Sequence, residues 1–234
     1  MKKGYPLSAA VILALAAGTT QAALVLEDQE TQNLPNETNI TLNLSQFNGS
    51  VNDLTNVYVE LELRLNGMEI ALDNDADQAQ EGTAHVLNTA NSVTSTVNFL
   101  KTDLDTINTS DLTINASQVF NLTATSGDTV GQFDATGNGD YALWTPNTLT
   151  NGDSGNIHNS AWTDYVGSGD FSITINTTYL TSATFEGNDG YFQGNTPNGE
   201  VYAKVIYTYV PEPATLGPLA LLGFIGLRKR HCTH

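Results

Sequence analysis

Val57-Tyr58-Val59-Glu60-Leu61-Glu62-Leu63-Arg64-Leu65 alternates without a break. Every odd position is apolar, and Glu60, Glu62 and Arg64 take even positions. Side chains on a strand point alternately to opposite faces, so this is a strand with one face in a core and one in water. Asn66-Gly67 follows at once and predicts a hairpin-type turn into Met68 to Leu72. A second alternating run sets Val201, Ala203, Val205, Tyr207 and Tyr209 against Tyr202, Lys204, Ile206 and Thr208. Further strand candidates are Asn39 to Leu44, Ala84 to Asn88, Ser92 to Leu100, Leu112 to Asn115, Gln118 to Thr125 and Phe171 to Leu180. Thr102 to Asp111 could form a helical turn, and no interior stretch carries a convincing 3.6-residue period. Short strands separated by Gly, Asn and Asp turns predict an all-β chain, an antiparallel β-sandwich of jelly-roll-like form.

The charge balance excludes one class of partner. Of the 8 Lys and Arg residues only Arg64, Lys101 and Lys204 fall between Leu24 and Val210, against 24 acids there, a net charge of −21. Nucleic-acid affinity comes from Lys and Arg on phosphates, so neither DNA nor RNA is an expected partner. The single cysteine, Cys232, lies in the last three residues, which excludes an intramolecular disulfide and a Cys-based zinc site.

Both ends read as addresses. Met1 to Ala23 has Lys2 and Lys3, an apolar run from Leu7 to Ala17, and Thr20-Gln21-Ala22 at the cleavage positions, the order of a secretory signal helix. At the other end, Val210-Pro211-Glu212-Pro213-Ala214-Thr215-Leu216 leads into an apolar stretch and then Arg228-Lys229-Arg230. Ala214 to Leu227 would make a helix of about 21 Å, short of the ~30 Å hydrocarbon core. It suits a transient inner-membrane contact, with the basic stop held on the cytoplasmic side.

The order Pro211, Glu212, Pro213, then Ala214, Thr215 and Leu216, an apolar helix and the Arg228 to Arg230 cluster resembles the PEP-CTERM sorting signal of Gram-negative bacteria. Pro218 near the start of the apolar helix and the His231 to His234 extension depart from that pattern. The resemblance implies export through the Sec translocon, recognition by a membrane-embedded exosortase, and delivery to the envelope or the extracellular matrix of an exopolysaccharide-producing host. The body is similar to choice-of-anchor E type extracellular modules in Phe47-Asn48-Gly49-Ser50, Tyr165-Val166-Gly167-Ser168-Gly169 and Tyr207-Thr208-Tyr209. The expected organisation is a signal peptide over 1–23, a β-sandwich over 24–209 and a sorting signal over 210–234.

Three sets of interior residues invite chemistry. Asp73, Asp75 and Asp77, with Glu81 assisting, begin a calcium-loop pattern, because calcium takes six to eight oxygens. Gln78 replaces the glycine of an EF-hand loop and Ala84 its final glutamate, so a solvated acidic turn is preferred over bound Ca2+. Trp144, Trp162 and Tyr165, together with Tyr141, could stack on sugar rings or plug the ends of the sandwich, and plugging is preferred. The four histidines are His85, His158, His231 and His234, and no Gly-x-Ser-x-Gly elbow, His-Glu-x-x-His pair or phosphate loop occurs. The expected function is a surface or biofilm-matrix structural or interaction protein without catalysis. The alternatives are a carbohydrate-binding module for exopolysaccharide and a matrix glycoside hydrolase working through paired carboxylates.

Overall fold

The computed structural model describes residues 22–34, 39–125, 133, 135, 139–187, 189–195 and 197–211. Met1 to Gln21 of the expected signal peptide, and Glu212, Pro213, the 214–227 helix, Arg228, Lys229 and Arg230 of the expected sorting signal, lie outside the described residues. Among the described residues no helix is long and apolar enough to cross a membrane.

The chain is all-β, and its named strands pair antiparallel in three sheets. One runs in the order β1 (Leu24–Leu34), β11 (Asn198–Tyr209), β3 (Leu54–Asn66), β8 (Leu149–Asn156). A second runs β2 (Asn39–Ser45), β9 (Asp170–Phe185), β5 (Gln80–Ser95), β6 (Ile114–Leu122). The third is small: β10 (Gly190–Gly194), β4 (Ile70–Asn74), β7 (Tyr141–Trp144).

The alternation in β3 settles which face is inside. Val57, Val59, Leu61, Leu63 and Leu65 are all 0% exposed, as are Val201, Ala203, Val205 and Tyr207 of β11. Leu42 and Leu44 of β2 and Phe171, Ile173 and Ile175 of β9 join them in one core. Each such side chain contributes about 1.5–3 kcal/mol of burial, which makes this core the main support of the fold. Tyrosine hydroxyls tie the two large sheets together across it. Tyr207 donates to Ser45 O at 2.9 Å, and Tyr179 donates to Leu34 O at 2.5 Å.

β5 and β9 are longer than one sheet can cover. β2 pairs with β9 only over its first half, and the small sheet packs over the second, where a Cβ on Gly194 of β10 would come within 2.8 Å of Thr181 Oγ1 of β9. Contact is close there: a Cβ on Gly82 of β5 would come within 2.9 Å of Leu72 Cδ2 of β4. The Asn66-Gly67 turn is therefore a corner and not a hairpin. Gly67 takes φ +67°, but β3 and β4 do not pair, and the chain passes from a large sheet into the small one. Likewise Ala84 to Asn88 and the start of Ser92 to Leu100 belong to one strand, β5, whose ladder with β9 shifts register between Ala90 and Ser92. Leu112 closes a 3-10 turn (Thr109–Leu112) that precedes β6.

β1 and β2 are edge strands of different sheets, and they close each other's flank. The Asn43 amide donates to Glu30 Oε2 at 2.5 Å, the Ser45 amide to Asp28 Oδ2 at 2.7 Å, and Gln32 Nε2 to Thr41 O at 3.1 Å. The period-two spacing of Asp28, Glu30 and Gln32 matches the period-two spacing of outward backbone groups on β2. An exposed edge invites pairing with another chain, and here charged side chains occupy it.

Candidate functional site

All three interior cations sit on the β1–β11–β3–β8 side of the molecule, and all are taken. Arg64 Nε lies 2.6 Å from Glu62 and its guanidinium stacks 5.1 Å from the Tyr202 ring centre. Lys204 lies within 3.7 Å of Glu27 and 3.8 Å of Glu60. Lys101 is buried, with its ammonium 2.5 Å from Asp153 and 3.2 Å from Asp105. The hydrogen bond to Asp153 holds the Lys101 pKa above the ordinary lysine range, burial opposes that, and Asp105 adds to it.

Trp144, Trp162 and Tyr165 are turned inward. Tyr165 is fully buried, meets Phe171 edge-on at 5.4 Å, and donates its hydroxyl to Asn98 O at 2.9 Å. Burial pushes its pKa far above the tyrosine range, so it offers no face to a sugar. Trp162 sits in the 3-10 helix Asn159–Tyr165 and gives its indole N–H to Ile157 O at 2.9 Å. Trp144 stands opposite Ile70 in the β4–β7 ladder, on the core side. Of the two readings open for Trp144, Trp162 and Tyr165, these positions agree with the preferred one, in which the rings help close the core, and not with a stacking platform.

The acidic run is divided by the strand it belongs to. Asp73 and Asp75 are buried, Asp77 is exposed in the turn beyond, and Glu81 is half-buried at the start of β5. Asn74, between the first two, organises that turn. Its Oδ1 accepts from the Ala76 amide at 2.9 Å and from Gln80 Nε2 at 2.5 Å. Its Nδ2 donates to Gln78 O at 3.0 Å and Thr123 O at 2.5 Å. Only Asp77 fits the solvated acidic turn. Among the described residues no group of three or more His, Cys, Asp or Glu is placed to hold a metal ion.

Of the aromatics picked from the sequence, only Tyr141 reaches a surface that carries aromatic and amide groups together. It is the outer face of the small sheet. Register sets Tyr141 of β7, Asp73 of β4 and Tyr191 of β10 in one row, and Leu143, Ala71 and Gln193 in the next. Beyond them the Glu69 amide donates to Asn195 Oδ1 at 2.8 Å, and the Asn195 amide returns to Glu69 O at 3.1 Å. A groove of about 330 Å³ lies here, walled by Phe133, Tyr141 and Leu143 and by Glu69, Gln193 and Asn195. Phe133 meets Tyr141 edge-on at 6.0 Å, and Leu143 is 48% exposed. Aromatic walls with amide and carboxylate groups suit a hydroxylated, uncharged ring, which can stack and hydrogen-bond at once.

The two described histidines are held apart from that groove. His85 Nε2 lies 3.1 Å from Thr184 Oγ1 on the β5–β9 surface, and His158 Nδ1 lies 2.8 Å from Ser160 Oγ, where it caps the 3-10 helix.

No family model and no curated protein matches this chain. Among solved structures it is similar to that of infectious bursal disease virus, Gx strain, at 12% identity and a TM-score of 0.21, over 91% of this chain and 52% of that one. It is also similar to that of Desmodium yellow mottle tymovirus, at 9% identity and a TM-score of 0.18, over 86% of this chain and 94% of that one. The chain thus spans about half the length of the first. Scores this low carry no argument about fold or function.

Proposed function

We propose that this chain is an exported protein of the Gram-negative cell surface or biofilm matrix, with a structural or interaction role and no catalysis. In this reading residues 1–23 are removed after passage through the Sec translocon. An exosortase then recognises Pro211, Glu212 and Pro213, while 214–227 rests transiently in the inner membrane and Arg228, Lys229 and Arg230 stop it there. The domain between is a jelly roll. What supports that form is the strand order, in which the strands of the two large sheets alternate layers along the chain except at β5–β6.

The observation that carries the sorting proposal is the pairing of Leu24 with Tyr209. β1 begins at Leu24, beside the expected cleavage site, and β11 ends at Tyr209, two residues before Pro211. Both address segments leave the sandwich from one end, where neither interrupts a strand. Mass spectrometry of the mature protein from cell fractions tests it. A new C-terminus near Pro213 is expected, and a mature chain intact to His234 refutes processing.

A second reading has the groove on the small sheet taking a neutral matrix polysaccharide, and what favours it is the Phe133–Tyr141 wall beside Gln193 and Asn195. Tyr141→Ala is expected to weaken binding to neutral exopolysaccharide by about 1–2 kcal/mol, or roughly tenfold. Calorimetric titration checks this, and an unchanged affinity removes the groove from consideration.

A further inference from the structure

We propose that β10 is the docking edge for a second copy of this chain, forming a two-fold antiparallel β10–β10′ ladder centred on Phe192. The direction of the backbone groups comes first. The Asp75 amide bonds Asp189 O at 3.0 Å and the Asn195 amide bonds Glu69 O at 3.1 Å, in register with Tyr191 opposite Asp73. Odd-numbered residues of this strand therefore face β4. Gly190, Phe192 and Gly194 turn their N–H and C=O groups the other way, to the outer side of a strand that ends its sheet. Among the described residues no strand pairs with this side of β10, and such a row of main-chain donors and acceptors is satisfied by one class of partner, an extended chain.

The strand carries none of the usual protections. Gly190-Tyr191-Phe192-Gln193-Gly194 has no charge and no proline, and Tyr191 and Phe192 are each 38% exposed. The β1 and β2 edges differ, because Asp28 and Glu30 occupy the β2 amides.

The occupant follows from self-complementarity. A two-fold axis at Phe192 sets Gly190 opposite Gly194′, Tyr191 opposite Gln193′ and Phe192 opposite Phe192′. Glycine meets glycine at both ends and ring meets ring at the centre. No like charges face each other within the seam, although the chain as a whole carries −17. Three residues from each copy would exchange about six main-chain bonds, since each bonded antiparallel pair supplies two. Two-fold isologous contacts are also the commonest mode of self-association. The result is one six-stranded sheet with both grooves on its outer face. The net charge opposes approach, so salt should strengthen the dimer.

Register can be tested directly on the full chain with Cys232→Ser as background. Tyr191 and Gln193′ form a closely spaced pair with Cα atoms about 4.5 Å apart, within disulfide reach, whereas Tyr191 and Tyr191′ lie about 8 Å apart, outside it. Mixed Tyr191→Cys and Gln193→Cys chains should therefore oxidise to a covalent dimer at least about tenfold faster than either alone. Independently, Phe192→Lys and Phe192→Glu should each raise the dimer dissociation constant about tenfold or more by sedimentation, and mixing the two should restore association. Their melting temperatures report whether the monomer is intact. Monomers at every concentration and salt, equal cross-linking in all samples, or no rescue on mixing would each overturn the proposal.

Discussion

Above pH 10 the domain is expected to lose stability, approaching roughly 3 kcal/mol per pH unit once the unfolded chain's tyrosines are ionised. Two fully buried tyrosines set this slope, and the buried Lys101 and Tyr179 add in the same direction. Burial pushes the Tyr165 pKa up first, with the neighbouring Tyr207 and Asp164 charges adding to it. Burial likewise raises Tyr207, helped by Asp28. Lys101 is raised chiefly by its hydrogen bond to Asp153. In each case the folded state holds a proton that the unfolded chain gives up near pH 10 to 10.4. Their contribution is complete below that range and falls as pH rises toward the folded values. Each of the two tyrosines costs about 1.4 kcal/mol per unit, which gives the slope for the pair. Denaturant melts between pH 8 and pH 11.5 would measure it, with tyrosinate absorbance followed in parallel. Tyr165→Phe with Tyr207→Phe should remove most of the slope. A midpoint that stays flat to pH 11.5, or two freely titrating tyrosines in the native state, would contradict the burial that the core assigns them.

Gly199→Ala is expected to destabilise the domain by about 3–4 kcal/mol, far more than one methyl group suggests. Gly199 lies in β11 between Leu34 of β1 and Leu65 of β3. A Cβ there would overlap the Tyr179 hydroxyl and approach Leu34 O to 2.7 Å, and those two atoms form a 2.5 Å hydrogen bond with each other. The methyl must push the ring aside, costing about 1–3 kcal/mol of overpacking, and it breaks a buried bond whose carbonyl then lacks its partner. Tyr179→Phe alone should cost only about 1 kcal/mol. The pair should be non-additive: in a Tyr179→Ala background, Gly199→Ala should cost clearly less, about 1–2 kcal/mol, because only the approach to Leu34 O remains. Equilibrium urea unfolding of the four proteins decides this, and equal effects in both backgrounds would mean that the hydroxyl is not what excludes the side chain.

Strands whose identity rests on their own residues were legible, and strands made by their neighbours were not. β3 and β11 declare themselves because every second residue is apolar. β8 is Leu-Thr-Asn-Gly-Asp-Ser-Gly-Asn, which has the composition of a loop. It is a strand because β3 offers it a partner, and Gly152 lacks the Cβ that would overlap Leu61 O. β1 shows no apolar alternation between Leu26 and Leu34, since its polar side chains serve the β2 edge instead of a core. Asn66-Gly67 marked a real turn, but a dipeptide cannot say which sheet comes next. The facing of the aromatic residues was open between two readings for a related reason. Composition placed Trp144, Trp162 and Tyr165 in one stretch of chain, whereas their facing is set by ladders and hydrogen bonds to distant residues. The groove residues Glu69, Tyr141 and Gln193 are brought together only by the β10–β4–β7 register.

The position of β11 has a mechanical consequence. The chain leaves the sandwich from the end of a strand flanked on both sides, by β1 and by β3. A pull applied at Val210 would run along β11 and load both of its hydrogen-bonded borders lengthwise, many bonds at once. A terminal strand at a sheet edge would instead part from its single neighbour. If the domain is ever held by its C-terminal segment against flow or a tethered ligand, the attachment point is also where the fold best resists extraction.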